Sequence, residues 1–189
     1  MSGVDPPWFR SCQRNGRIAG ALFLAAFVLY GVGNALSDTM VGITLMLGNS
    51  IAVAAIGVLV HACLRTDFPH TSTLYLGARV VEAVTLGTGA LLLSADQEEA
   101  NAQLFRLGML ALGLGSVPFC RVLSQVGWAP QWLAWWGVVG YGILIAGAIM
   151  DFVIEGALLV ASIPGGFFEV IFAVHLLRRG FASRQQSAV

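Results

Sequence analysis

Polar residues along this chain are gathered into short intervals, and between them run six apolar stretches, at about 17–36, 41–63, 74–94, 104–123, 132–152 and 156–177. Each is close to the roughly 20 residues a helix needs to cross a hydrocarbon layer about 30 Å thick. The intervals hold residues that stop or turn helices: Pro69 between the second and third stretches, Asp96, Glu98 and Glu99 between the third and fourth, and Pro130 before the fifth. None is long enough for a separate soluble domain. The pattern predicts an all-α polytopic membrane protein, one bundle of six transmembrane helices over residues 1–189, with a short foot at about 1–16 and a tail at about 178–189.

The first apolar stretch is not followed by a clear small-residue cleavage site, so it is expected to stay as an anchor. Ahead of it, Pro6-Pro7-Trp8-Phe9-Arg10 reads either as a foot lying among lipid headgroups or as a polar tail that carries a tryptophan. Composition sharpens the picture. The chain is 57% hydrophobic and 11% charged, with a mean hydropathy of +0.80. Soluble domains hold about 45–50% apolar and about 25% charged residues, so the main partner expected here is the lipid bilayer. The formal net charge is zero, and no basic face suggests nucleic acid.

Arginines set the expected orientation. Arg10, Arg14 and Arg17 precede the first stretch, Arg65 ends the second, Arg121 ends the fourth, and Arg178, Arg179 and Arg184 close the chain. The alternate connections hold Ser37-Asp38-Thr39, the acidic 96–99 segment and the turn at Asp151, with Arg106 the sole basic residue near them. The positive-inside rule then puts both termini in the cytoplasm of a multi-pass cell-membrane protein. Trp8, Trp128, Trp132, Trp135 and Trp136 fall at that same face, where an indole can bury its ring and keep its N–H hydrated. Cys12, Cys63 and Cys120 show no metal or redox spacing, and all three lie towards the cytoplasm, so reduced structural thiols are expected. Gly16 and Gly20 suit close helix packing within the bundle, with a homo-oligomer contact as the lesser use.

The informative positions are ionisable groups inside apolar stretches: Arg79 and Glu82 in the third, and Glu169 in the sixth. A charge at mid-bilayer costs about 2.5–3.5 kcal/mol on the mildest scale, so the three need a compensating arrangement. Glu82 and Glu169 each lie about 12 Å from the cytoplasmic end of their stretch at 1.5 Å per residue. Arg79 shares a helix face with Glu82 by i,i+3 spacing, and Tyr75 extends it by i,i+4. The guanidinium fork can bridge both carboxylates, which leaves one surplus negative charge and one carboxyl placed to hold a proton. The cluster reads equally as a clamp between two helices or as a site for a proton, small molecule or lipid.

Secondary candidates surround it. Ser162-Ile163-Pro164-Gly165-Gly166 predicts a kink or local unwinding in the sixth helix, with Glu155, Ser162 and Glu169 nearly in line along one face. Asn34 and Asn49 add polar groups in the outer half, and His61 and His175 sit at the cytoplasmic rim. Neither histidine has the i,i+4 partner of a helical metal site, so no metal and no cofactor is expected. No GxSxG, HExxH, P-loop or GxGxxG motif occurs.

Several stretches together resemble a family of bacterial membrane proteins known as domain of unknown function 4386. They are Arg17-Ile18-Ala19-Gly20-Ala21-Leu22, Tyr75-Leu76-Gly77-Ala78-Arg79-Val80-Val81-Glu82, Pro130-Gln131-Trp132-Leu133-Ala134, and Phe168-Glu169 with the apolar run to Leu177. The resemblance extends from about 15 to 181 and implies a six-helix membrane protein, with Arg79, Glu82 and Glu169 on the family's charged positions. It implies no activity, substrate or cofactor. The leading expectation is a non-enzymatic protein that binds or passes a small solute or proton at the Arg79–Glu82–Glu169 cluster. An intramembrane enzyme using Glu82 or Glu169 as a general acid on a lipid or isoprenoid is the alternative, and a structural or partner-binding subunit is a third.

Overall fold

The computed structural model describes residues 7–181, with side chains from Arg10 onward. Six helices make up almost all of it: α1 Pro7–Ala35, α2 Met40–Leu64, α3 Pro69–Leu93, α4 Glu98–Leu123, α5 Gln131–Met150 and α6 Ala157–Arg179. Each contains a span long and apolar enough to cross a membrane, with a mean hydropathy of 1.3 to 2.2 over its most apolar stretch. The chain is an all-α, six-helix, multi-pass membrane bundle.

Local chemistry starts and stops these helices. Thr39 caps α2 by accepting the Gly42 N–H on its Oγ1 at 3.1 Å. Pro69 opens α3 at a position where a missing N–H costs nothing. Glu98 and Glu99 occupy the first turn of α4 and Arg121 its last turn, both favourable to the helix dipole. These helices outrun the apolar stretches because apolarity marks only the part in hydrocarbon. α3 and α4 therefore start several residues earlier than expected. Glu98 and Glu99 belong to a helix and not to a loop, and residues 7–16 of the expected foot are the first turns of α1. Residues 1–6 and the tail from 182 on, with Arg184, lie outside the described residues, as does the Trp8 side chain.

Each helix packs against its neighbours in sequence, and α6 closes the ring on α1. Two glycine contacts draw this ring tight. A Cβ on Gly20 would stand 2.7 Å from the Ala173 carbonyl oxygen of α6, and one on Gly140 of α5 would stand 3.1 Å from Gly165. Outward-facing side chains are apolar (Val28, Ile51, Val84, Val139, Leu159), as a lipid-facing surface requires. The end of the ring that carries the termini is solidly filled by Leu64, Leu123, Leu133, Leu176 and Trp128, the last stacked on Phe181 at 4.1 Å.

Three expectations are corrected here. Helix α6 runs through Pro164 without unwinding. A proline removes one backbone donor, and helices on both sides of α6 hold it in register; Trp136 Nε1 also donates to the Pro164 carbonyl at 3.2 Å. Trp128 is a buried core residue, whereas Trp132, Trp135 and Trp136 are exposed at the start of α5. Cys12 and Cys63 are not free thiols but a disulfide across the α1–α2 seam, with Cα atoms 5.6 Å apart; Cys120 is free and buried. The pairing joins residues 51 apart, so no short motif announces it.

Candidate functional site

Halfway along the ring, Arg79 turns inward from α3 and is almost wholly buried. Its Nε donates to Tyr75 Oη at 2.9 Å, its Nη1 to Glu82 Oε2 at 3.0 Å, and its Nη2 to Glu169 Oε1 at 2.8 Å. The helical spacing of Tyr75, Arg79 and Glu82 sets the first two contacts, and the third ties α3 to α6. The guanidinium carbon lies 5.2 Å from the ring centroids of both Phe23 and Tyr75, so aromatic faces on two sides add cation–π attraction. Each of the three nitrogens of the fork thereby donates once, and the bonds to the two different carboxylates are charge-assisted.

Tyr141 on α5, which the sequence reading missed, donates its hydroxyl to Glu169 Oε1 at 2.6 Å. Its signal was present: tyrosine favours the membrane interface, yet Tyr141 sits ten residues into an apolar helix, where its hydroxyl needs a buried partner. One oxygen of Glu169 thus accepts from both Arg79 and Tyr141. The second oxygen of Glu169 and Oε1 of Glu82 have no hydrogen-bond partner among the described residues.

On the side away from the termini, this cluster faces a cavity of about 300 Å³ walled by all six helices. Its walls are mainly apolar, including Phe23, Val53, Leu86, Met109 and Leu112. Arg79, Glu82, Glu169 and Tyr141 form its polar end, and Asn49, Ser162 and Tyr30 supply further polar groups. Asn49 is buried, and its side-chain amide has no hydrogen-bond partner among the described residues; Ser162 is committed to the Leu159 carbonyl at 2.7 Å. On the side towards the termini the cluster rests on an aromatic layer, with Tyr75 stacked on Phe119 at 4.2 Å and Phe168 on Phe172 at 5.5 Å. Volume and lining match the small end of ordinary ligand pockets, apolar with a few convergent polar groups.

The other sequence candidates scatter. Glu155 is exposed in the turn before α6 and does not continue the Ser162–Glu169 face, because helical geometry begins only at Ala157. His61 and His175 are half-buried, do not line the cavity, and His61 Nδ1 is buried without a partner among the described residues. Among the described residues, no three His, Cys, Asp or Glu side chains converge as a metal cage requires. Away from the cavity, Arg106 Nε donates to Asp151 Oδ2 at 2.7 Å, while Asp151 Oδ1 accepts the Leu158 N–H at 3.0 Å. That backbone donor, then the arginine, holds the Asp151 carboxyl below the usual aspartate range and pins the 151–156 turn to α4 and α6.

No curated protein and no solved structure matches this chain. Residues 37–180 match the profile of a family described as Domain of unknown function (DUF4386). The match begins after α1, so the Arg17–Leu22 segment falls outside it, while α2–α6 with Tyr75, Arg79, Glu82, Tyr141 and Glu169 fall within. On the strength of that match over most of its length, the chain belongs to the DUF4386 family.

Proposed function

We propose that this membrane protein binds a small molecule within the bilayer, in the six-helix cavity, with the Arg79–Glu82–Glu169–Tyr141 cluster as its polar anchor. The observation that carries this reading is the pairing of spare polar capacity with empty space. Two carboxylate oxygens and the Asn49 amide, uncommitted among the described residues, face one cavity. A clamp that served stability alone would be expected to pack these groups against protein, since unmet polar groups in a dry interior cost free energy. Binding is favoured over passage across the bilayer because the aromatic layer and the packed core block the termini end. The unbroken α6 also removes the discontinuous helix that would have suggested a transporter.

Native mass spectrometry of protein released from membranes tests this. Wild type is expected to retain a bound small molecule that Ala26→Phe, which fills the cavity, and Glu169→Gln both lose. Bulk phospholipid as the sole adduct, equal in all three proteins, counts against the reading.

For orientation, we propose that the termini end faces the cytoplasm. Arg10, Arg14, Arg17, Arg65, Arg121, Arg178 and Arg179 are exposed at that end, whereas Arg106 at the other end is paired with Asp151. The Cys12–Cys63 disulfide lies at the arginine-rich end and favours the reverse, because disulfides persist in oxidising compartments. Gln125→Cys, in the exposed turn before α5, should resist a membrane-impermeant maleimide applied to intact cells. Labelling from outside would reverse the assignment.

A further inference from the structure

All six helices wall the cavity, yet its exposed wall residues come from two of them. Phe27 and Gly31 on α1 and Leu159 on α6 line the space and also face outward, Leu159 at 72% exposure. On α2, α3 and α5 the wall residues are buried, among them Asn49, Val53, Glu82, Leu86 and Tyr141. The α1–α6 seam explains the difference. It is closed towards the termini, where Gly20 meets Ala173 and Phe23 meets Phe172 at 6.0 Å. Phe27 still reaches over Gly166, where a Cβ would stand 3.5 Å from its ring. Further along α1, a Cβ on Gly31 would meet nothing within 4 Å. Phe27, Gly31 and Leu159 thus both line the cavity and are exposed, and the exposed side chains of Val28, Val32, Val160 and Ile163 on the same two helices form an apolar outer rim. Such a rim faces acyl chains and not water.

The polar end of the cavity selects a head group. Two carboxylates face one guanidinium, so the ionised cluster carries a surplus negative charge. Arg79 spends three of its five N–H donors within the cluster, one from each nitrogen, while one oxygen of each glutamate has no partner among the described residues. An anionic head would meet like charge at those oxygens. A protonated amine would meet two acceptors, and the Asn49 amide offers a third contact on the same cavity.

We propose that the ligand is a lipophilic amine taken from the bilayer, passing sideways between α1 and α6 and seating its ammonium on Glu82 and Glu169 with its chain along the apolar walls. This inference rests on the binding role proposed above for the same cavity and names its ligand class and route.

The test uses the full chain in nanodiscs of zwitterionic lipid, with octylamine, octanol and octanoate as probes and stopped-flow binding as the readout. Octylamine is expected to bind saturably and octanoate not to bind. Glu169→Gln should weaken octylamine about tenfold or more, the loss of one buried charged contact. Should that variant fail to fold, Asn49→Leu carries the same test, with a severalfold loss expected. Gly31→Trp adds bulk where the structure has open space and should slow octylamine uptake about tenfold or more. Octanoate binding as tightly as octylamine overturns the head-group assignment, and wild-type uptake by Gly31→Trp overturns the lateral route. A co-purifying ligand without a basic nitrogen overturns the amine and leaves the binding role standing. A wild-type protein that retains no ligand and binds none of the three probes overturns both.

Discussion

Replacing Arg79 with methionine isolates what the central cation does, because the side-chain stem stays and the guanidinium goes. Three hydrogen bonds disappear at once, to Tyr75, Glu82 and Glu169, together with the cation–π contacts to Phe23 and Tyr75. Two carboxylates then face one another in a dry interior without a counter-charge. Removing one member of a buried ion pair costs about 3–5 kcal/mol, mainly because the partner is left uncompensated. For a chain of this length, each kcal/mol moves the melting temperature by about 2–4 °C, so Arg79→Met is expected to melt roughly 6–20 °C lower. Cys120, buried and free, provides the assay: a thiol-reactive dye reports its exposure as the bundle unfolds in detergent. Adding Glu82→Gln and Glu169→Gln to Arg79→Met should restore at least half of the loss, since the amides carry no charge to orphan. A single variant that melts as wild type would refute the reasoning. So would a triple variant no more stable than the single one, which would assign the effect to packing.

Other consequences follow from the same geometry. Asp151→Ala removes the acceptor for Leu158 N–H and the partner of Arg106, for a loss of about 1 kcal/mol because the pair is near the surface and screened. The folded carboxyl lies below the usual aspartate range, so its contribution is present at neutral pH and fades only as pH falls through that lowered value. Melting curves of wild type and Asp151→Ala should therefore stay separated from pH 8 to about 5 and converge below about 4. A gap unchanged down to pH 3 would contradict the ion pair. Gly20→Val puts a branched side chain where a Cβ alone would stand 2.7 Å from a backbone oxygen, and should destabilise the α1–α6 seam by about 1–3 kcal/mol. Wild-type melting of that variant would argue against the close approach. Maleimide should modify Cys12 and Cys63 in folded protein only after reduction, and Cys120 only after unfolding; immediate labelling of Cys12 would remove the disulfide.

Much of the fold was legible because lipid imposes one rule on every span: about twenty apolar residues with all backbone groups paired internally. Helix ends were less legible, since α3 and α4 extend beyond the hydrocarbon on the strength of Pro69 and of Glu98 with Glu99, whose effects are electrostatic and steric. The Tyr75–Arg79–Glu82 stripe was readable from helical spacing, and its meeting with Glu169 from equal depth and the need to compensate charge. The depth of Tyr141 in α5 signals a buried partner, but the spacing within α5 does not tell that this partner is Glu169 on α6. Glu155 misled because the turn at 151–156, bound through Asp151, breaks the helical phase before α6. Cys12 and Cys63 escaped because their partnership is decided by packing across a seam. Proline in α6 misled as to unwinding: the helix continues through it, with neighbouring helices on both sides.

The central claim, that the uncommitted groups of Glu82, Glu169 and Asn49 exist to hold a ligand, is tested most directly by an experimental density map of the protein in lipid. Non-protein density is expected in the cavity within hydrogen-bonding distance of at least one of those three side chains, and none there in Ala26→Phe. A wild-type map in which the helices close over the cavity and all three side chains pair with protein atoms would contradict that claim.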